Sequence, residues 1–218
     1  MTKRDTSKRR IALFGGTFNP IHFGHLRGAE EVREAFGLEE VIFIPASLPP
    51  HKMAGEIIDA RHRLEMVKRA TRKNPQFSAS DIELKRPGKS YSIDTIRYFH
   101  EKHKHALYFI LGKDAFLEIG TWKDFQSLFF LCNFIVMAPP GSIEPFSLPG
   151  FFTQCFRHGQ RASRWIHGSG NSIFFKEINL LDISSTKVRD LVKKGKSARY
   201  LVPPEVEAYI AEHGLYRR

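Results

Sequence analysis

Residues 11–32, IALFGGTFNPIHFGHLRGAEEV, run an uninterrupted apolar segment into Gly15-Gly16, an Asn-Pro turn and two histidines, and then into a helical pattern. An apolar run without polar alternation is the mark of a strand covered on both faces. The pattern over 25–36 puts Leu26, Ala29, Val32 and Phe36 on one face of a helix. The same succession recurs downstream. VIFIPA (41–46), ALYFILG (106–112) and NFIVMA (133–138) read as buried strands, while 61–73 (Leu64, Val67, Ala70) and 91–103 (Ile93, Ile96, Phe99) read as amphipathic helices. Alternating strands and helices predict an α/β fold, a doubly wound and mainly parallel sheet with helices on both faces. SASDIEL (78–84) and SIFFKEI (172–178) are expected to extend the sheet. SSTKVRDLVKKG (184–195) and PPEVEAYIAEHG (203–214) predict a small C-terminal helical part, each helix closed by glycine.

At 218 residues and 42% hydrophobic, the chain suits one domain over 11–218 with a substantial core. The basic segment 1–10 is expected to be a disordered tail, and the proline-rich stretch 139–171 a variable surface excursion. No apolar stretch reaches the roughly 18 residues that span a bilayer, and nothing resembles a signal peptide, so the reading is cytoplasmic with no membrane partner. Cys132 and Cys155 form neither a disulfide framework nor a metal cluster and read as structural or incidental. The net charge of +11 is concentrated: residues 1–10, 150–171 and 217–218 hold nine of those eleven charges. The remaining body is nearly neutral, which fits solvated basic segments and a small anionic ligand better than a duplex nucleic acid.

In open α/β sheets ligands bind beyond the carboxyl ends of the strands. Gly15-Gly16 lets bare backbone N–H groups approach such a ligand, and a helix N-terminus behind them favours phosphate. The stretch has neither the P-loop lysine pattern nor a third glycine at dinucleotide-fingerprint spacing. His22 and His25, three apart at the start of a helix with Gly24 between them, would share one face. A zinc site would need further ligands, and the sequence offers no such set. Phosphate chemistry is the reading that uses both imidazoles, as donors to oxygens that gain charge in a transition state.

GGTFNPIHFGH resembles the G-G-T-F-D-P-x-H-x-G-H signature of a nucleotidyltransferase superfamily with a Rossmann-like fold, whose members pass a nucleoside monophosphate from a triphosphate to a phosphate-bearing acceptor. Asn19 stands where aspartate is commoner, which keeps the turn but removes a charge. ISSTKVR at 183–189 is similar to the I-S-x-T-x-x-R element that holds ATP phosphates, and GKD at 112–114 to the G-x-D that positions adenosine. PPHK (49–52), PGKSYS (87–92) and TW (121–122) resemble bacterial nicotinate-mononucleotide adenylyltransferases. The resemblance implies transfer of adenylyl from ATP to nicotinate mononucleotide, giving nicotinate adenine dinucleotide and pyrophosphate, with Mg²⁺ accompanying ATP and no resident metal. It implies His22 and His25 as catalytic. It implies ATP contacts from Gly15, Gly16, Thr17, Phe18, Gly112, Asp114, Ser185, Thr186 and Arg189. Pro50, His51, Lys52, Tyr91, Ser92 and Trp122 are implied for the acceptor. APPG at 138–141 lacks the arginine that often precedes Pro-Gly in these enzymes, so a cation for the acceptor must come from elsewhere.

Adenylyl transfer to nicotinamide mononucleotide or phosphopantetheine is the nearest alternative, and an RNA-binding protein on the same fold is the alternative from another class.

Overall fold

In a computed structural model, residues 9–50, 57–102, 105–142, 150–152, 154–159, 163–179 and 181–217 are described. His51 and Lys52, most of the basic tail and part of the 139–171 stretch lie outside them. The elements follow as β1 (Arg10–Gly16), α1 (Phe23–Phe36), β2 (Glu40–Pro45), α2 (Ala60–Thr71), β3 (Phe77–Ala79), α3 (Ser92–Lys102), β4 (Ala106–Gly112), α4 (Lys113–Leu117), α5 (Phe125–Leu131), β5 (Asn133–Ala138), β6 (Phe156–His158), β7 (Arg164–His167), β8 (Ser172–Glu177), α6 (Ser185–Lys193) and α7 (Pro204–Glu212). They form one sheet in the order β3-β2-β1-β4-β5-β8-β7-β6. Its first six strands are parallel, and β7 and β6 join antiparallel at the edge.

The apolar runs sort their side chains by the two-residue period of a strand. Leu13, Ile42, Phe109, Phe134 and Val136 face α3 and α5; Ala12, Phe14, Val41, Phe43, Ile110 and Ile135 face α1, α2, α6 and α7. Helices therefore cover both faces, as the sequence predicts. The chain builds outward from β1 toward β3, returns, and builds from β4 toward β8, so β1 and β4 flank the point where its direction across the sheet reverses.

Three expectations need correction. Of SASDIEL only Ser78 and Ala79 lie in a strand, β3; the Asp81 carbonyl then accepts backbone bonds from Leu84 and Lys85 in a turn, so the apolar alternation of Ile82 and Leu84 is not a strand period. β1 begins at Arg10, inside the segment read as a tail, because Arg10 pairs with Ala106 and its guanidinium donates to the Phe36 carbonyl at 3.0 Å. The 139–171 stretch is more than a surface excursion: it supplies β6 and β7 and buries Phe152, Phe156 and His167 against Phe129. Burying one such phenyl ring stabilises by about 2 kcal/mol. Cys132 is buried and Cys155 exposed, and burial pushes the Cys132 thiol well up. Among the described residues no helix is long and apolar enough to cross a membrane.

Candidate active site

Two cavities open at the carboxyl ends of β1 and β4, and both are lined by Phe14 and Gly112. One, about 280 Å³, lies over Gly15, Gly16 and Thr17 and is walled by Pro50, Tyr91, Ser92, Trp122 and Lys123. The other, about 440 Å³, is walled by His22, Gly24, His25, Lys113 and Asp114. Of the residues implied for ATP, Gly15, Gly16 and Thr17 thus stand on the side of the acceptor residues, while Gly112 belongs to both cavities.

His22 is the extended N-cap of α1 and His25 its third residue, so the pair straddles the helix start. Their rings stack at 3.7 Å, and the His22 backbone N–H donates to His25 Nδ1 at 3.3 Å. An accepting Nδ1 leaves the His25 proton on Nε2. Burial lowers the His22 pKa to about 4, and burial together with the His22 charge lowers His25 well below the ordinary value. Both imidazoles are therefore neutral near pH 7, each with one N–H to donate. His22 Nδ1 is buried against the start of α1 beside Gly24. Phe14 and Phe18 hold His25 by edge contacts at 6.2 and 5.2 Å. Gly24 lets the His22 ring pack closely, since a Cβ there would stand 3.0 Å from Nδ1 and push the ring away by a few tenths of an ångström.

The loop between β1 and α1 is held from three directions. Phe18 turns it with a φ of 47°, its ring buried against Phe43 and beneath Gly16, where a Cβ would meet that ring at 2.9 Å. Arg63 of α2 is 1% exposed, and its guanidinium donates to the carbonyls of Thr17 (2.8 Å), Ser47 (3.0 Å) and Ile58 (3.0 Å). Ser185 Oγ donates to the Pro20 carbonyl at 2.8 Å, and Arg189 donates to the Asn19 carbonyl at 2.9 Å and to Thr186 Oγ1 at 3.2 Å. Asn19, 3% exposed, accepts from the Tyr216 hydroxyl at 3.0 Å, and burial pushes the Tyr216 pKa up so that it remains a donor. An amide at position 19 thus has a built partner.

Ser184 caps α6 by accepting from the Lys187 N–H at 3.1 Å. Ser185, Thr186 and Arg189 line neither cavity; Ser185 and Arg189 meet the histidine loop through its backbone, and Thr186 accepts from Arg189. Phe18 likewise has its side chain in the core, and it acts on the site by supporting Gly16 and His25. Gly112 is the extended N-cap of α4 and Asp114 stands in that helix's first turn, and both line the larger cavity.

Around the smaller cavity, Ser90 Oγ accepts from the N–H groups of Ser47 (2.8 Å) and Leu48 (3.3 Å), and the Ser90 N–H donates to the Leu48 carbonyl at 2.9 Å. These bonds tie the approach to Pro49-Pro50 to the Tyr91-Ser92 segment at the start of α3. Trp122 is braced edge-on by Phe109 at 6.2 Å, and Lys123 Nζ sits 4.7 Å above the Tyr91 ring. Glu83, buried in the same wall, accepts from Thr95 Oγ1 at 2.7 Å and faces Arg86 at 3.7 Å.

Sequence reasoning misses Arg63, Ser90 and Lys123. Arg63 leaves a signal, since it occupies the helical stripe of Met66 and Val67, where an apolar residue is expected. Ser90 lies within PGKSYS and Lys123 directly follows TW, and both differ from ordinary surface residues only through their partners.

Residues 13–191 match the cytidylyltransferase-like family. The chain is 48% identical over 212 residues to a protein of Pelobacter propionicus named "Probable nicotinate-nucleotide adenylyltransferase", covering 95% of this chain and 98% of that one. A protein of the same name from Geotalea daltonii is 45% identical over 211 residues, covering 95% and 98%. This chain belongs to the cytidylyltransferase-like family, among the nicotinate-nucleotide adenylyltransferases. The fold recurs at low sequence identity. The Plasmodium falciparum nicotinic acid mononucleotide adenylyltransferase complexed with NaAD superposes with a TM-score of 0.72 at 18% identity, covering 96% of this chain and 98% of that one. The family match ends at residue 191, and α7 beyond it packs Val206, Tyr209 and Ile210 into the same core layer as β1.

Proposed function

We infer that this protein transfers the adenylyl group of ATP to nicotinate mononucleotide, releasing pyrophosphate and forming nicotinate adenine dinucleotide, as a single nucleotidyltransferase domain acting in the cytoplasm. One observation carries the reading: two cavities meet at Phe14 and Gly112, and the neutral His22–His25 stack stands at the helix start beside their junction. Its relatives' names agree with it.

In this reading the nucleotide occupies the cavity of His22, His25, Gly112 and Asp114, with the Asp114 carboxylate accepting from a ribose hydroxyl. The acceptor occupies the other cavity, its pyridine ring against Trp122 and its carboxylate at the backbone N–H groups of Tyr91 and Ser92. An oxygen of the acceptor phosphate attacks the α-phosphorus in line, a new P–O bond forms, and the bond to pyrophosphate breaks. The acceptor phosphate is already ionised, so no base is required. The imidazole N–H groups donate to oxygens that gain charge. Ser185 and Arg189, the latter held by Thr186, fix the loop that carries His22, and the Lys123 ammonium supplies the cation absent before Pro140-Gly141.

Among the described residues that wall the nucleotide cavity, Asp114 is the one carboxylate. That donor set suits a hydrated Mg²⁺ arriving on the triphosphate oxygens better than a resident metal cage. When bound, such an ion neutralises triphosphate charge.

Pyrophosphate release from ATP tests the assignment with nicotinate mononucleotide, nicotinamide mononucleotide and phosphopantetheine as acceptors. The highest kcat/KM is expected with the nicotinate compound, and a preference for either other acceptor overturns the assignment.

A further inference from the structure

The charge of the 150–171 stretch and the start of β1 meet in a third cavity, and the reaction uses neither. This cavity, about 840 Å³, is lined by Arg10, Phe36, Tyr108, Arg157, Arg164, Phe174 and Lys176 among others. It lies at the C-terminal end of α1, about 20 Å along the helix from the histidines.

The strand period explains the gathering of cations. Phe156 and His167 pair across the hairpin and point into the core, so Arg157 and its partner Ile166 point to the opposite face. Arg164 pairs with Phe174 on that same face, and Lys176 follows two residues on. α1 ends at Phe36 and leaves this part of the sheet uncovered. The floor is aromatic: Phe36 meets Phe174 at 5.3 Å and Tyr108 at 6.3 Å, and the Arg164 guanidinium lies 5.2 Å from the Phe174 ring.

No carboxylate stands within ion-pair distance of Arg10, Arg157, Arg164 or Lys176 among the described residues. Arg10 donates to the Phe36 carbonyl and Arg164 to Ser172 Oγ, which orients both side chains without neutralising them. Like charges around one concavity repel, and a bound anion relieves that repulsion. Guanidinium groups match phosphate oxygens in pairs, and an aromatic floor beside them suits a planar base. The volume lies in the range of small-molecule sites.

We propose that this cavity is a second ligand site, separate from the reaction centre, for a nucleotide that carries two or more phosphates and an aromatic base. Calorimetric titration of the full chain with ATP, in the absence of acceptor, tests it. Wild-type protein is expected to bind two ATP per chain and the Arg157→Glu/Lys176→Glu variant one, with kcat for pyrophosphate release unchanged in the variant. One ATP per chain in both proteins, or two in both, overturns the proposal. The neutral Arg157→Gln/Lys176→Gln variant guards against misfolding: with a wild-type melting temperature it must bind the second ATP about tenfold or more weakly, and undiminished affinity overturns the site. Inorganic tripolyphosphate is expected to bind there more weakly than ATP; equal affinity removes the base from the proposal. A short single-stranded RNA that binds more tightly than ATP and is lost in the same variants would make the cavity part of a nucleic-acid surface instead, and overturns it.

Discussion

The Arg63 guanidinium reaches the carbonyl of Thr17 at 2.8 Å from inside α2, and the same group holds Ser47 and Ile58. One buried cation thereby fixes the loop under one cavity to the segment leading into its proline-rich wall. Burial holds its pKa below the usual guanidinium range, yet arginine stays charged at neutral pH. Arg63→Met strands three carbonyls and is expected to cost about 3 kcal/mol, seen as a fall of several degrees in melting temperature. Arg63→Lys retains the charge but not the three-way fork, so it should leave part of that loss and lower kcat/KM about tenfold. A wild-type melting temperature in Arg63→Met contradicts the assignment.

Ser90 performs the matching task on the opposite wall. Its hydroxyl accepts from two consecutive N–H groups at Ser47 and Leu48, which Ser90→Ala leaves without that acceptor. Each lost bond is worth about 1 kcal/mol. Steady-state kinetics should show KM for the acceptor raised about tenfold with KM for ATP unchanged, because the nucleotide cavity does not include this loop. Equal increases in both constants would mean that Ser90 serves the whole fold.

The parallel half of the sheet is legible in the sequence because strands covered on both faces are continuous apolar runs, and IALFGG or ALYFILG admits few other readings. The β6–β7 hairpin is not, since strands of three and four residues at an edge, with arginines on the open face, carry no such run. The site divides the same way. His22 and His25 are visible because both sit in one turn. The role of ISSTKVR is hidden because Ser185 acts on the carbonyl of Pro20, 165 residues away, and backbone acceptors leave no trace in composition. Asn19, the departure from the family motif, accepts from the Tyr216 hydroxyl near the other end of the chain, a partner that no local pattern in the sequence reveals.

His25 has its tautomer set by the His22 N–H and its ring fixed by Phe14 and Phe18, so its Nε2–H is a preorganised donor. Removing one such donor costs on the order of 10²- to 10³-fold in rate. His25→Ala should lose that much in kcat with little change in KM for ATP, measured by pyrophosphate release. An unaltered kcat would remove His25 from the transition state.

His22 links the site to pH. Its pKa falls from 6.5 to about 4 on folding because burial disfavours the imidazolium. Between those values the unfolded chain binds more protons than the folded one, so stability rises with pH across the window. The contribution is complete above about pH 6.5 and is lost as pH falls toward 4, amounting to at most about 3 kcal/mol. Urea denaturation from pH 7 to pH 4.5 should therefore show a steeper acid loss for the wild type than for His22→Asn, and parallel losses contradict the linkage. A triphosphate in the cavity walled by His22 acts in the opposite sense: its negative charge favours the imidazolium and lifts the pKa back into the window. ATP binding at pH 5.5 should then take up a proton, read as a dependence of the calorimetric heat on buffer ionisation, and His22→Asn should abolish that share of the uptake.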